Sequence, residues 1–258
     1  DYAINKLKDN LDIRFKLKGN NLAEKNKKAV DNAINTTHLL KIDESTDDYV
    51  KVSEVSSSLF DIIDKREGDT LPVSAFLDRP DGTVDGGLSR LEKRDISEVV
   101  PKYISENCIS CNLCSLVCPH AVIRPMLLDE EEVEKAPNSL NDKLFDSHLK
   151  DNLKFTIAVS YKDCTGCGLC ANICPGKKGA KALEMVSKES IVNDITLKES
   201  EYLFNEVTEK DVMSVSTVKG SQFKRPRFEF SGACAGCGET PYLKLLTQLF
   251  GDRLVIAN

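Results

Sequence analysis

The sequence lacks several features that would place it in common functional classes. No apolar run approaches the roughly 20 residues that a helix needs to cross a bilayer, so we expect no contact with a membrane. The formal net charge is -6, which disfavours a nucleic-acid-binding protein, since such proteins usually carry a basic stripe. No Ser–His–Asp set, Walker loop or pair of catalytic carboxylates stands out. A hydrophobic fraction of 41% still permits a buried core.

What the sequence does contain is cysteine: eight of its ten cysteines form two runs with one spacing, Cys-x2-Cys-x2-Cys-x3-Cys-Pro. The first run consists of Cys108, Cys111, Cys114 and Cys118, and the second of Cys164, Cys167, Cys170 and Cys174. This spacing is typical of two-cluster ferredoxins, in which soft thiolates bind [4Fe–4S] clusters. Zinc is the alternative metal, although zinc sites usually consist of separated Cys-x2-Cys pairs. Disulfides are disfavoured because such short rings would be strained, so we expect a reducing compartment.

The ligands of the two predicted clusters are expected to cross between the runs. In two-cluster ferredoxins the fourth cysteine of each run binds the other cluster. We therefore assign Cys108, Cys111, Cys114 and Cys174 to cluster 1, and Cys118, Cys164, Cys167 and Cys170 to cluster 2. Pro119 and Pro175 would turn the chain away after each run. Gly166 and Gly168 would let the backbone approach the sulfur atoms and donate amide hydrogen bonds.

The remaining cysteines, Cys234 and Cys237, form a single Cys-x2-Cys pair. Such a pair could be a redox dithiol, half of a zinc site or half of a cluster site, and the local residues leave these alternatives open. Glycines at 232, 236 and 238 suit a backbone that folds tightly around a cofactor.

Local patterns divide the chain into four segments. Residues 1–52 have apolar positions at helical spacing and are expected to be the end of a domain that begins upstream. Residues 53–94 are interrupted by proline and glycine and predict an extended connection, with a disordered linker as the alternative. Residues 95–212 carry both cysteine runs as an internal repeat. Residues 213–258 are expected to begin a new α/β domain.

Two patterns lie between and beside the cysteine runs. In residues 155–161 large apolar side chains alternate with the small residues Thr156, Ala158 and Ser160, which predicts a strand with one buried face. Leu183 and Met185 are expected to belong to its antiparallel partner. Residues 129–134 are almost all acidic and predict a solvated loop, with a docking role as the alternative.

The last segment predicts a helix followed by a strand. Thr240 is expected to cap the helix, Pro241 to occupy its first position and Gly251 to end it. The apolar face would consist of Tyr242, Leu245, Leu246 and Leu249. Residues 254–257 predict a buried parallel strand.

Several polar residues near the cysteines are expected to have structural roles. His120 and Arg124 follow the first Cys-Pro pair, and we interpret His120 as a packing or hydrogen-bonding residue, because four cysteines already serve each cluster. Lys177, Lys178 and Lys181 are interpreted as solvated surface, with contact to an acidic ferredoxin as the alternative.

Residues 228–242 read Phe-Glu-Phe-Ser-Gly-Ala-Cys-Ala-Gly-Cys-Gly-Glu-Thr-Pro-Tyr, and this motif resembles the pyruvate:ferredoxin (flavodoxin) oxidoreductase family. Asp81-Gly82-Thr83 and Glu92-Lys93-Arg94 resemble that family's linking EKR segment, and the cysteine runs resemble its inserted ferredoxin domain. The resemblance implies an α+β fold: a two-[4Fe–4S] bacterial-ferredoxin-like domain flanked by partial α/β domains of a larger enzyme. Its segments would be the end of a gamma-like domain (1–52), the EKR segment (53–94), the ferredoxin-like domain (95–212) and the start of a thiamine-diphosphate domain (213–258).

The resemblance also implies a function. This family decarboxylates pyruvate on thiamine diphosphate, forms acetyl-coenzyme A and passes electrons through [4Fe–4S] clusters to ferredoxin or flavodoxin. Cys234 and Cys237 would be two ligands of a third cluster, close to the thiamine. Thiamine diphosphate, Mg²⁺, coenzyme A and pyruvate would bind in the full-length enzyme, so this chain would not be catalytic alone. We expect a homodimer, in the cytoplasm or in an anaerobic organelle such as a hydrogenosome.

Alternatives to this function stay open, among them a related enzyme that acts on another 2-oxo acid, and two further ones differ in architecture. One is a pyruvate:NADP oxidoreductase, in which the same unit is fused to a flavin reductase. The other is a stand-alone two-cluster, ferredoxin-type electron carrier that has no enzyme attached.

Overall fold

The computed structural model describes residues 2–15, 21–36, 59–82, 87–150 and 152–256. The chain divides into two compact units, Asp1–Asp78 and Arg79–Asn258. Among the described residues, no helix is both long and apolar enough to span a bilayer.

The first unit is helical where it is described. Its helices are α1 (Tyr2–Phe15), α2 (Leu22–Thr36) and α3 (Leu59–Asp64), and 3-10 turns follow at Gly68–Thr70 and Val73–Phe76. Ion pairs link α1 to α2, with 2.5 Å between Lys8 Nζ and Asp31 Oδ1 and 2.6 Å between Lys27 Nζ and Asp12 Oδ2. Neither helix contains a buried residue. The helical prediction for residues 1–52 is therefore confirmed over α1 and α2, while residues 16–20 and 37–52 lie outside the described part.

The second unit contains both cysteine runs in a mixed arrangement of strands and short helices. Its strands are β1 (Val99–Tyr103), β2 (Ile123–Leu128), β3 (Phe145–Asp146), β4 (Lys154–Val159) and β5 (Leu183–Ser187). Its helices are α4 (Leu113–Val117), α5 (Glu130–Lys135), α6 (Leu169–Ile173), α7 (Lys188–Ile191), α8 (Asp194–Asn205), α9 (Val218–Ser221) and α10 (Thr240–Phe250). A further 3-10 turn lies at Leu88–Arg90.

The internal repeat predicted from the cysteine spacing is visible in the order of these elements. Each half has a strand, a 3-10 turn, a cysteine loop, a short helix and a second strand: β1, Ser105–Asn107, α4 and β2 in the first half, and β4, Tyr161–Asp163, α6 and β5 in the second. All strand pairs are antiparallel, in a two-stranded sheet β1-β5 and a three-stranded sheet β2-β4-β3.

The strand pairing corrects one sequence prediction. β5 pairs with β1, so that Val99 lies opposite Ser187, and it is not the partner of β4. β4 pairs instead with β2, from Ile123 opposite Val159 onward. The first strand of the first half thus pairs with the last strand of the second half, and the remaining strand of each half, β2 and β4, forms the other pair.

The expectation of one buried face on the strand before the second run is also wrong. Thr156 and Ala158, expected on the solvent side, are 0% and 1% exposed. Leu140 from the insertion and Leu203 from α8 belong to the same buried cluster as Ala158 and cover that face. The small residues of β4 therefore alternate with large ones because Leu140 and Leu203 pack closely over that face of the strand.

The acidic run 129–134 is a helix, which corrects the loop prediction. Asp129 and Glu132 form a reciprocal capping box at the start of α5, a common way to satisfy free amide groups at a helix N-terminus. The Glu132 carboxylate is buried and accepts hydrogen bonds of 2.8 Å from the Thr208 amide, the Thr208 hydroxyl and Lys210 Nζ. One carboxylate of this run is thus part of the interior.

The last segment differs from its prediction in three ways. Glu239, not Thr240, precedes the first helical residue of α10, while Gly251 ends the helix with φ of 54° as expected. The buried face of α10 is polar, because it consists of Thr240, Lys244 and Gln248, whereas Tyr242 is 72% exposed. Residues 254–256 form no strand: they have no paired neighbour, and Val255 is 88% exposed.

Candidate iron–sulfur sites

A first apolar cavity lies at the side of the repeat where β1 meets β5. Four cysteines line it: Cys108, Cys111, Cys114 and Cys174. Tyr103, Ile157 and Leu183 complete much of the wall. The structure therefore brings together three cysteines of the first run and the fourth cysteine of the second.

A second apolar cavity has the complementary set of cysteines. Its walls include Cys118, Cys164, Cys167 and Cys170, together with Pro101, Ile123 and Met185. In each case four cysteines line one cavity, and among the described residues no three cysteine, histidine or carboxylate side chains lie close enough to share a single metal ion.

The backbone of each cysteine loop curves around its cavity with positive φ angles at matching positions. These are 50° at Ser110 and 64° at Asn112 in the first run, and 68° at Gly166 and 74° at Gly168 in the second. The Ser110 and Gly166 amides each lie 3.4 Å from the sulfur of the cysteine two residues before. A Cβ on Gly166 would lie 2.5 Å from Ser97 Oγ, so the expected need for glycine holds at this position.

The cysteine environment favours neutral thiols until a cation binds. Burial raises the pKa of Cys164 to about 11 and that of Cys170 to about 12, and it also raises the pKa values of Cys108 and Cys114. Thiolates are the form that binds iron, so positive iron must supply the charge that stabilises them here. Four soft donors around a dry cavity, with amides directed at sulfur, fit a [4Fe–4S] cluster.

The Cys234–Cys237 pair lies beside the second cavity. A Cβ built on Gly236 would lie 3.7 Å from the Cβ of Cys167. Cys234 is exposed and Cys237 is partly exposed, at the start of α10. Backbone amides of Thr240 and Glu239 donate to the Cys237 sulfur and lower its pKa.

His120 connects the second cavity to the segment that carries this pair. Its side chain is 2% exposed and lines that cavity, and its Nδ1 lies 3.1 Å from the Ser231 carbonyl oxygen. The His120 carbonyl accepts a 2.9 Å hydrogen bond from the Phe230 amide. Burial lowers the pKa of His120, which favours the neutral imidazole. The packing and hydrogen-bonding role predicted for His120 is what the structure shows.

Two buried charged residues near the cysteines were missed by sequence reasoning. Glu229 accepts hydrogen bonds from both Arg124 and Arg90. Lys244 is 1% exposed, and burial lowers its pKa to about 8. A polar stripe at four-residue spacing in α10, from Thr240 through Lys244 to Gln248, was the available signal for the second of these.

Comparisons with known proteins support an iron–sulfur role for this region. The family model of the 4Fe-4S dicluster domain matches residues 107–180, and the EKR model, a domain of unknown function, matches residues 44–97. The chain is 44% identical over 268 residues to the pyruvate:ferredoxin oxidoreductase of Moorella thermoacetica, covering 100% of this chain and 22% of the relative. It is 40% identical over 263 residues to the pyruvate-flavodoxin oxidoreductase of Enterobacter agglomerans, covering 99% of this chain and 22% of the relative.

The chain is a homologue of one segment of the pyruvate:ferredoxin (flavodoxin) oxidoreductase family. It spans about a fifth of the length of these curated relatives. The pyruvate dehydrogenase [NADP(+)] of Cryptosporidium parvum is also similar, with 42% identity over 212 residues, covering 80% of this chain and 10% of the relative. The family resemblance and the iron–sulfur prediction are thereby confirmed.

Proposed function

We propose that this chain is the electron-transfer part of an oxidoreductase that converts pyruvate and coenzyme A to acetyl-coenzyme A and reduces ferredoxin or flavodoxin. The observation that carries the proposal is the pair of cavities, each surrounded by four cysteines drawn from both runs. The names of the relatives supply the substrate and the acceptors.

The proposed ligands follow the crossed pattern. Cluster 1 would be bound by Cys108, Cys111, Cys114 and Cys174, and cluster 2 by Cys118, Cys164, Cys167 and Cys170. Each cluster supplies a site that takes up and releases one electron. The apolar walls exclude water, and the amides of Ser110 and Gly166 donate to sulfur, which favours the reduced state.

The position of the Cys234–Cys237 pair supports a direction of electron flow. We propose that this pair holds half of a third cluster, whose electrons reach cluster 2 first because Gly236 lies beside Cys167. The acceptor would approach cluster 1, next to the half-exposed side chain of Ile109 on the wall of the first cavity.

The remaining parts of the proposal concern the whole enzyme. Thiamine diphosphate, Mg²⁺ and coenzyme A would bind to domains beyond the described unit. Residues 1–52 and 213–258 would belong to partial α/β domains, and the enzyme would be a homodimer, in the cytoplasm or an anaerobic organelle.

Anaerobic reconstitution followed by iron and sulfide analysis tests the cluster proposal. We expect about eight irons per chain from the two complete sites and an EPR spectrum of two interacting clusters. Cys174→Ala should disturb cluster 1 more than cluster 2, and the matched variant Cys118→Ala should do the reverse. Stoichiometric zinc, a single cluster, or the opposite response of these variants would refute the assignment.

The similarity to the Cryptosporidium parvum protein favours a second candidate, an enzyme whose final acceptor is NADP⁺. Assays of the native enzyme with pyruvate, coenzyme A and each acceptor separate the two candidates. Direct reduction of NADP⁺ without ferredoxin or flavodoxin would support the second. A native polypeptide of 28.6 kDa that carries electrons but lacks pyruvate oxidation would instead support a stand-alone carrier.

A further inference from the structure

Lys244 places a buried amino group against the first cysteine run. Its Nζ donates hydrogen bonds to the carbonyl oxygens of Ser115, Leu116 and Cys118, the latter two at 3.0 and 3.1 Å. These carbonyls end helix α4, which carries Cys114 and leads into Cys118. Lys244 itself belongs to α10, so it joins the segment that follows Cys237 to the ligand loop of the first run.

The donor and acceptor count identifies the form of Lys244 as charged. An ammonium has three N–H donors and no acceptor, and it meets three carbonyl oxygens here. A neutral amine would direct its lone pair at one of these oxygens. Within the described part of the chain no carboxylate forms an ion pair with Lys244. Its positive charge is therefore stabilised by the carbonyl dipoles at the end of α4 and by the nearby cysteine sulfurs.

The repeat provides a second lysine in an equivalent position. Lys181 Nζ donates to the carbonyl oxygens of Ala171 and Asn172 at the end of α6, at 2.7 and 3.2 Å. These residues follow Cys170 as Ser115 and Leu116 follow Cys114. The two lysines differ in burial, because Lys181 is exposed whereas Lys244 is 1% exposed.

We propose that the buried charge of Lys244 raises the reduction potentials of both clusters. The potential of cluster 2 is raised more than that of cluster 1. This inference rests on the cluster sites of the proposed function. One-electron reduction adds a negative charge to a cluster, and a fixed positive charge in a dry interior stabilises it. Lys244 Nζ donates directly to the carbonyl of Cys118, a proposed ligand of cluster 2, at 3.1 Å, whereas its bonds near Cys114 are to the carbonyls of the two following residues, Ser115 and Leu116.

Burial decides how large the effect is. Water and salt screen an exposed charge such as that of Lys181, whereas Lys244 is shielded from both. We expect loss of the Lys244 charge to change the reduction equilibrium constant of cluster 2 about tenfold, which is 59 mV for a one-electron couple. Loss of the Lys181 charge should change either constant less than half as much on the logarithmic scale.

The test is an EPR-monitored redox titration of the cluster-loaded protein, in which dithionite supplies the electrons. Lys244→Met removes the charge and retains much of the side-chain length, Lys244→Arg keeps the charge, and Lys181→Met is the matched control in the other half of the repeat. We expect Lys244→Met to lower the potential of cluster 2, Lys244→Arg to restore most of the difference, and Lys181→Met to stay close to wild type.

Iron and sulfide counts on every variant separate this inference from the proposed function. If the wild-type protein fails to bind two clusters, the proposed function fails. If two clusters are bound but Lys244→Met changes both equilibrium constants less than twofold, or no more than Lys181→Met does, the role of Lys244 is refuted. If Lys244→Met loses its clusters, Lys244→Gln takes its place as the neutral variant: a lowered potential of cluster 2 supports the role, and a change of less than twofold in the equilibrium constants of both clusters refutes it.

Discussion

Glu229 is the residue whose substitution tests the packing of this unit most directly. Its carboxylate is 4% exposed and binds two guanidinium groups, from Arg124 in β2 and Arg90 in the 3-10 turn of the EKR segment. Ser89 Oγ donates a further 2.8 Å hydrogen bond to the Glu229 carbonyl. Glu229 therefore connects the EKR segment, the ferredoxin-like repeat and the segment that leads to the Cys234–Cys237 pair.

Glu229→Gln removes the negative charge but keeps the shape of the side chain. The protein then loses folding free energy because two arginines are left without a carboxylate partner. The Arg124 side chain is 7% exposed, and removing one partner of such a buried pair costs about 3–5 kcal/mol. Arg90 is 27% exposed, and its share should be about 1 kcal/mol or less. The rings of Phe204 and Phe230, with centroids 4.7 and 5.3 Å from Arg124 Cζ, retain part of its stabilisation, which favours the lower end of the range.

Anaerobic urea denaturation at matched cluster content measures this effect. We expect the unfolding midpoint of Glu229→Gln to fall strongly, because domain stabilities are only about 5–15 kcal/mol. Asp146→Asn, which removes the partner of Lys154 in an exposed ion pair, is the control and should leave the midpoint unchanged. Adding Arg124→Met to Glu229→Gln should recover much of the loss. Purely additive effects, or a Glu229→Gln shift no larger than the control, would refute the reasoning.

Two further predictions concern backbone space and pH. Gly168→Ala should lower the stability by about 1–2 kcal/mol, the cost of a left-handed backbone at a residue other than glycine. Gly166→Ala has the same backbone cost and also brings a Cβ within 3.1 Å of the Val99 carbonyl oxygen. We therefore expect a lower melting temperature and less bound iron for Gly166→Ala than for Gly168→Ala. Burial raises the pKa of Glu132, but hydrogen bonds led by that of Lys210 outweigh it and hold the pKa below 4.5. The stability that Glu132 contributes is complete above the unfolded pKa and is lost as pH falls through the folded value, so Glu132→Gln should flatten the acid limb of a stability–pH curve.

The cysteine runs were predictable because their information is local. A spacing of two or three residues fixes how closely sulfur atoms can approach one another, whatever the rest of the chain does. The same locality made the helices α1, α2 and α10 predictable from their spacing. Strand pairing was less accessible: the sequence contains β4 and β5, but which strand each one pairs with depends on the whole repeat. The single strand expected at 254–257 has no pairing neighbour among the described residues, and so residues 254–256 remain outside any sheet.

The sequence by itself determined the spacing of the cysteines, the repeat and the family resemblance, since each of these is a matter of residue type and spacing. Only the tertiary structure decided which charges are buried. Lys244 and Glu229 look like ordinary surface residues in the sequence, yet both are enclosed by partners from more than 100 residues earlier in the chain, such as Ser115 and Arg124. A charge becomes strong when water is removed from around it, and that removal is a property of packed neighbours rather than of the residue.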